Sequence, residues 1–411
     1  MSTVDSLKYM LKFMHAGFVA MEPQTGQVKA YVGDIDFKTW KYDKVQSMRQ
    51  PGSTFKLFVY AAAMKQGFTP ADPIKDEYIR MEVYDKKRDT TTIWQPHNAN
   101  GRFTNANIPL RSAFAQSINT IAVKLGQEVG IANVVQMAHD MGIRSPLDET
   151  PSLPLGSSDV NLFELVNAYG TVANDGMYVE PVLVTKIVDA DGDVVFEAQK
   201  VEKRALPQTA AFYMQKLLEA GVRDGGGTSQ TLGAGMYLGP FAANLDMGGK
   251  TGTSNNHSDA WFVGVTPNLV GGAWVGGEFR SIHFRTGRLG QGSRTALPIV
   301  AKFMRAVMDD KQLSKKYLHK YGPAPDGIDP STYAATYYQK AEPDSTATDS
   351  TFFAPSDEDL MGIGADHSDL MDSEGETNGE AQQTHSQEQT RQKENGHTPE
   401  GHATKQANVD N

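Results

Sequence analysis

The stretch Arg49-Gln50-Pro51-Gly52-Ser53-Thr54-Phe55-Lys56 governs the reading of this chain, because its last four residues form a Ser-x-x-Lys tetrad. Pro51-Gly52 is a turn signal. Phe55, Leu57, Phe58, Tyr60, Ala61, Ala62, Ala63 and Met64 then run on without a breaker as far as Gly67. The pattern predicts a mostly buried helix that starts at or near Ser53 and is closed by a glycine C-cap. Residues three apart share a helix face, so the hydroxyl of Ser53 and the amine of Lys56 can meet. A serine hydroxyl is a poor nucleophile until a neighbouring base takes its proton. Lysine can be that base only when neutral, and burial or a second nearby cation lowers its pKa in that direction. The helix start adds free N–H groups and partial positive charge near a developing oxyanion. On its own, the tetrad reads more simply as an N-cap serine followed by a surface lysine.

Two further elements change that balance. Ser117-Ile118-Asn119 lies at the junction between the apolar run Leu110 to Ala115 and a helical pattern over Ile121 to Val129. The Ser117 hydroxyl could relay a proton, and the Asn119 amide could accept from a lysine while donating to a substrate carbonyl. Both residue types also serve as plain caps and turns. Lys250-Thr251-Gly252-Thr253 falls in a strand pattern, Met247 to Ser254, which leads into Asp259 to Val265 and Val270 to Gly277. That reads as an antiparallel meander. Thr251 and Thr253 share one face of the strand and suit a carboxylate, while Gly252 lets a substrate backbone lie close as an added strand. Lys250 supplies a cation that also helps to keep Lys56 neutral. The three elements in this order point to a serine acyl-transfer site.

The same residues resemble the transpeptidase domain of class A penicillin-binding proteins. Gly17 to Gly26 with Val28 to Gly33 is similar to the opening strand pair of that domain. Asp259-Ala260-Trp261-Phe262-Val263-Gly264 and Thr295-Ala296-Leu297-Pro298 also match, and the likeness covers roughly residues 10–310. Leu57 stands where proline is frequent, and Asp34 where a second glycine is frequent. The resemblance implies an α/β fold of the α+β type, with a central antiparallel sheet flanked by helices and an all-helical subregion. It implies that Ser53 is acylated, that Lys56 is its base and that Ser117 relays the proton to leaving D-alanine. Asn119 and Lys250 would hold that network, and Thr251, Gly252 and Thr253 would bind substrate. The oxyanion hole would be the N–H groups of Ser53 and Thr253. No metal or organic cofactor is implied. The expected partners are peptidoglycan stem peptides, as D-Ala-D-Ala donor and amine acceptor, and β-lactam antibiotics. The parent is expected at the periplasmic face of the inner membrane, with an anchor and a glycosyltransferase domain upstream.

Composition bounds the rest. Among 411 residues the formal net charge is −10, which argues against a basic nucleic-acid-binding face. There is no cysteine, so disulfides and thiolate chemistry are excluded. No run approaches the roughly 18–20 apolar residues of a membrane span. Leu7 to Phe18 is interrupted by Lys8, Lys12 and His15, which does not fit a signal peptide. The expected organisation is a connecting segment over 1–15, a transpeptidase domain over 16–322, a linker over 323–341 with Tyr333, Tyr337 and Tyr338 near the domain, and a disordered polar tail over 342–411. Leu360, Met361, Ile363, Leu370 and Met371 in that tail could dock, but a solvated tail is the simpler reading. His367, His385, His397 and His402 lack metal-ligand spacing.

Helices are expected over Ala132 to Met141, Leu162 to Val172 and Thr209 to Ala220, and a hairpin in which strands over Val182 to Val188 and Val194 to Glu197 flank Asp191-Gly192. Gly225-Gly226-Gly227-Thr228 reads as a flexible loop and not as a phosphate cradle, and His257 as loop filling. Two other outcomes use the same acylation parts. A β-lactamase needs a base for deacylating water, and only Glu164, inside a helical pattern, is available. A D,D-carboxypeptidase replaces the acceptor amine with water. A penicillin-sensing receptor domain would be acylated once and not turn over.

Overall fold

The computed structural model describes residues 2–85 and 89–334. The expectations for Tyr337, Tyr338 and 342–411 lie outside the described residues. Two distant parts of the chain build one sheet. β1 (Met14–Met21) and β2 (Val28–Val32) pair antiparallel near the start. The meander β3 (Gly248–Thr253), β4 (Asp259–Val265) and β5 (Val270–Gly277) follows more than two hundred residues later. β5 docks on β1, with Phe18 opposite Ala273 and Val19 opposite Gly272. The order is β3-β4-β5-β1-β2, antiparallel throughout.

The side chains of β4 and β5 alternate between two hydrophobic clusters, one on each face. Trp261, Val263, Val265 and Trp274 enter one, and Ala260, Phe262, Ala273 and Val275 enter the other. Both faces are covered by helices, so every residue of β4 and β5 is buried. This is why those strands read as continuous apolar runs and not as an inside–outside alternation. The helix Ala296–Asp309 lies on the second face through Val300 and Met304. The first face carries the larger, mainly helical half, with Lys56–Lys65, Asn119–Val129, Ile131–Asp140, Leu162–Ala173 and Gln208–Arg223. The fold is therefore of the α+β kind, an antiparallel sheet with a helical region.

The helix Lys56–Lys65 runs through the middle of that half, and every residue from Lys56 to Met64 is buried. Surrounded on all sides, it needs no polar face. Its end is a Schellman turn: Gly67 sits at φ +101, Gly67 N–H donates to Met64 O and Phe68 N–H to Ala63 O. Its beginning is tied down from two sides. The Trp261 indole Nε1–H donates to Gln50 O at 2.8 Å, and the Tyr169 hydroxyl to Thr54 O at 2.8 Å.

Some local detail departs from the expectation. The strand anticipated over Val182 to Val188 is confined to Lys186–Val188, paired with Val194–Glu197, because Val182 instead bridges Gln27. The start of the chain holds a helix, Thr3–Met10, fixed by a Ser2–Asp5 capping box, and β1 begins at Met14, ahead of residue 16. Past Gly322, Ala324, Ile328 and Tyr333 pack on the core, with Tyr333 edge-on to Phe212 at 5.0 Å.

Removing the Tyr169 hydroxyl leaves the buried Thr54 carbonyl without that partner. Tyr169→Phe is expected to lower unfolding stability by about 1–3 kcal/mol. Urea denaturation followed by fluorescence checks it, and an unshifted midpoint would show that the contact contributes nothing.

Candidate active site

The Ser53 segment begins as a tight 3-10 turn, Gly52–Phe55, that runs straight into the buried helix. Gly52 is left-handed at φ +53, and a Cβ there would lie 2.5 Å from the carbonyl oxygen of Thr253. Only glycine permits this approach, which lays the Ser53 turn against the end of β3. Ser53 is half-buried at this seam. Lys56, one turn on, is fully buried.

Ser117 joins the two other elements. It is a non-glycine residue at φ +60, the one residue between the helix Leu110–Ala115 with its cap Gln116 and the Ile118 N-cap of the next helix. Such a conformation costs of order 1–3 kcal/mol and persists only where its surroundings enforce it. Here it turns the hydroxyl between two lysines. Lys56 Nζ contacts Ser117 Oγ at 3.1 Å, and Lys250 Nζ contacts the same oxygen at 2.9 Å. Lys56 Nζ also donates to Ser117 O at 2.6 Å and to Asn119 Oδ1 at 2.7 Å. Lys250 Nζ donates as well to Thr251 O at 3.2 Å and lies 5.8 Å from the centre of the Phe114 ring. The structure thus brings Lys56, Ser117, Asn119 and Lys250 into direct contact, beside the Ser53 turn.

Burial dominates the electrostatics. Loss of water pushes the Lys56 amine well below the usual lysine value, and the positive charge of Lys250 pushes it further. Lys250 is itself lowered to about 7 by burial. Among the described residues no carboxylate pairs with either amine, so none of them restores the charged form. Two like charges this close favour the loss of one proton. Lys56, lowered both by burial and by the charge of Lys250, is the amine disposed to lose it. A neutral amine has two N–H groups and one lone pair. The two short contacts, to Ser117 O and Asn119 Oδ1, use the N–H groups, which leaves the lone pair for a hydroxyl.

Thr251 and Thr253 stand on β3 beyond the lysine. Thr251 Oγ1 donates to Thr228 Oγ1 at 2.9 Å, and Thr253 Oγ1 accepts from Gly292 N–H at 3.2 Å. Gly252 between them pairs with Trp261. Thr228 was not expected here. It arrives at the end of the glycine loop, pinned by its own N–H on Ala115 O at 3.0 Å and by the two-pronged Arg111–Asp224 pair. The glycines mark the loop in the sequence, but nothing local says that its end reaches β3. Also unforeseen are Asn98 and His97. Asn98 Oδ1 accepts from Asn119 N–H at 2.9 Å, and His97 O accepts from Asn119 Nδ2 at 2.8 Å. Glu164 is engaged by Ser145, accepting its N–H at 3.2 Å and its hydroxyl at 2.6 Å. His257 lies in the β3–β4 loop at φ +57 and packs against Gly290.

Residues 16–278 match the family described as the penicillin binding protein transpeptidase domain. The chain is 32% identical over 306 residues to penicillin-binding protein 1A of Neisseria meningitidis, across 73% of this chain and 36% of that protein. It is 36% identical over 270 residues to penicillin-binding protein 2D of Bacillus subtilis, across 64% of this chain and 37% of that protein. The chain thus spans little more than a third of the length of these curated relatives. Among solved structures, penicillin-binding protein 1A of Haemophilus influenzae superposes with a TM-score of 0.66 at 26% identity, over 76% of this chain and 49% of that one. The PonA1 protein of Mycobacterium tuberculosis, solved in complex with penicillin V, shares the fold with a TM-score of 0.61 at 24% identity, over 78% of this chain and 83% of that one. A sheet closed by Lys250-Thr251-Gly252-Thr253, two buried lysines meeting on Ser117 and a serine turn packed beside them accord with that match: the chain belongs to the penicillin-binding protein transpeptidase family.

Proposed function

We propose that this domain is a peptidoglycan D,D-transpeptidase that cross-links stem peptides through an acyl-enzyme on Ser53, and that β-lactams acylate the same serine. The observation that carries the reading is the pair of buried lysines on one hydroxyl, next to the Ser53 turn. In the first step the neutral amine of Lys56 takes the Ser53 proton as Oγ attacks the carbonyl carbon of the D-Ala-D-Ala bond. The N–H groups of Ser53 and Thr253 receive the oxyanion, a role supported by the close packing of Gly52 on Thr253. Ser117 passes a proton to the departing D-alanine nitrogen and is resupplied from the lysines on either side. Thr251, Thr253 and the charge of Lys250 hold the terminal carboxylate, and Gly252 gives the peptide backbone room. An acceptor amine then attacks the ester, and Ser53 leaves with its proton restored.

The employment of Glu164 by Ser145 speaks against a deacylating base, and so for transpeptidation over β-lactamase activity. No helix among the described residues is long and apolar enough to cross a membrane. The proposed peptidoglycan substrate is the ground for the proposed location, the periplasmic face of the inner membrane.

Incubation with a fluorescent penicillin, followed by peptide mass mapping, is expected to give a stable adduct on Ser53 and none in Ser53→Ala. Labelling of another residue, or rapid consumption of the penicillin without an adduct, would refute the reading. The lysines add a second expectation. Acylation of the free enzyme should rise with pH as Lys56 loses its proton, well below the ordinary lysine range, and fall as Lys250 loses its charge near its value of about 7. Lys250→Arg cannot titrate in this range and should lose the falling limb. Stopped-flow acylation rates between about pH 5 and 10 decide it, spanning the range below the ordinary lysine value; a profile that Lys250→Arg leaves unaltered counts against the role of Lys250.

A further inference from the structure

The helix that carries Asn119 starts with an unsuitable cap. Its N-cap is Ile118, which has no side-chain acceptor, so the first N–H groups of Asn119–Val129 need a partner from elsewhere. Asn98 supplies it from 21 residues upstream. Its Oδ1 accepts from Asn119 N–H at 2.9 Å and from Thr120 N–H at 3.2 Å, with Thr120 Oγ1 at 3.3 Å.

The Asn98 amide can sit only one way round. Its Nδ2 donates to Asp76 Oδ1 at 2.8 Å and to Arg102 O at 2.9 Å. A flipped amide would set donors against the Asn119 and Thr120 N–H groups and leave its oxygen against a carboxylate. Asp76 is buried and does nothing visible beyond this network. It accepts from Thr120 Oγ1 at 2.6 Å, from Thr104 N–H at 2.8 Å and from Thr104 Oγ1 at 2.9 Å. Burial alone would raise its pKa, but the donors from Thr120, Thr104 and Asn98 outweigh it and hold the carboxyl below the ordinary aspartate value. A buried, ionised carboxylate satisfied entirely by neutral donors is costly to build without a purpose.

The network ends on the lysine. His97 O accepts from Asn119 Nδ2, which turns the Asn119 carbonyl oxygen to Lys56 Nζ at 2.7 Å. Residues 97 and 98 therefore grip Asn119 by its side chain and its backbone together.

We propose that Asn98, oriented by the carboxylate of Asp76, is a positioning residue for acylation: it caps the helix of Asn119 and so fixes the amide that orients the Lys56 amine. The inference rests on the proposed serine acyl-transfer reading, and it concerns residues outside the three motifs. Asn98 touches neither Lys56 nor Ser53; it acts through Asn119.

The test uses the whole chain and a fluorescent penicillin, with acylation split into the affinity of the initial complex and the first-order acylation rate. Asn98→Ala is expected to lower the acylation rate by about 10- to 100-fold, the scale of a small misplacement. The affinity of the initial complex should hold within about twofold. Asn98→Asp sets two carboxylates against each other and should behave like Asn98→Ala. The transposed double variant, Asp76→Asn with Asn98→Asp, restores a donor facing an acceptor between the two side chains but sets a carboxylate oxygen against Arg102 O, and should regain part of the rate. Backbone amide exchange gives a readout apart from activity: Asn119 and Thr120 should be protected in the native protein and lose protection in Asn98→Ala. Native-like acylation by folded Asn98→Ala would overturn the proposal. So would unaltered protection at Asn119 and Thr120. A native chain that takes no penicillin while those amides stay protected would refute the acyl-transfer reading and leave the clamp standing.

Discussion

Lys56 and Lys250, both buried, reach for a single hydroxyl oxygen, and most of the site follows from that meeting. Two ammonium groups cannot both stay charged there at low cost, because burial penalises each and their mutual repulsion adds to it. Among the described residues no carboxylate stands against them to relieve the strain. It offers dipoles instead: the Ser117 carbonyl and hydroxyl, the Asn119 carbonyl and the Thr251 carbonyl. Dipoles orient an amine without neutralising it, which is what a base needs if it is to give up its own proton before it can take another.

Holding three chain segments in that register explains much of the fold. β3 must stand at the sheet edge with Lys250 turned inward, and the sheet is closed only by pairing β5 with a strand from the other end of the chain. The helix that follows Ser53 is buried on every side from Lys56 to Met64, so that stretch is apolar all round apart from Lys56 and the Tyr60 hydroxyl. The seam between them is a contact of backbone on backbone, Gly52 on Thr253, where no side chain fits. Trp261 and Tyr169 lock that seam with hydrogen bonds to Gln50 O and Thr54 O, from the sheet and from the helical half respectively.

Much of this was legible in the sequence because it was written in local patterns. The unbroken apolar run after Ser53, the glycine stop at Gly67, the meander from Gly248 to Gly277 and the Asp191-Gly192 hairpin each carry their own periodicity or turn chemistry. The left-handed backbone of Ser117 was not legible, because serine carries no signal for φ > 0 and only the closing of the two helices around it enforces that conformation. Thr228, Asn98, His97 and Asp76 were missed for a related reason. Each is a common polar residue in a loop, and its importance lies in a hydrogen bond to a partner far along the chain. Length matters as well: Val182 left the expected strand because a bridge to Gln27 competed for its backbone.

The buried lysines also tie the stability of the domain to pH. Their folded-state pKa values lie below those of an exposed lysine, Lys250 at about 7 and Lys56 lowered as well. The unfolded chain, with ordinary lysines near about 10.4, binds more protons than the folded one across the interval between. Opening the structure then takes up protons, so this pair adds to stability as pH rises through that interval and withdraws its contribution as pH falls toward the folded values. The domain therefore carries, at neutrality, an unfolding tendency that alkali suppresses. The pair proposed to prime the serine is the same pair that loosens the surrounding protein as pH falls.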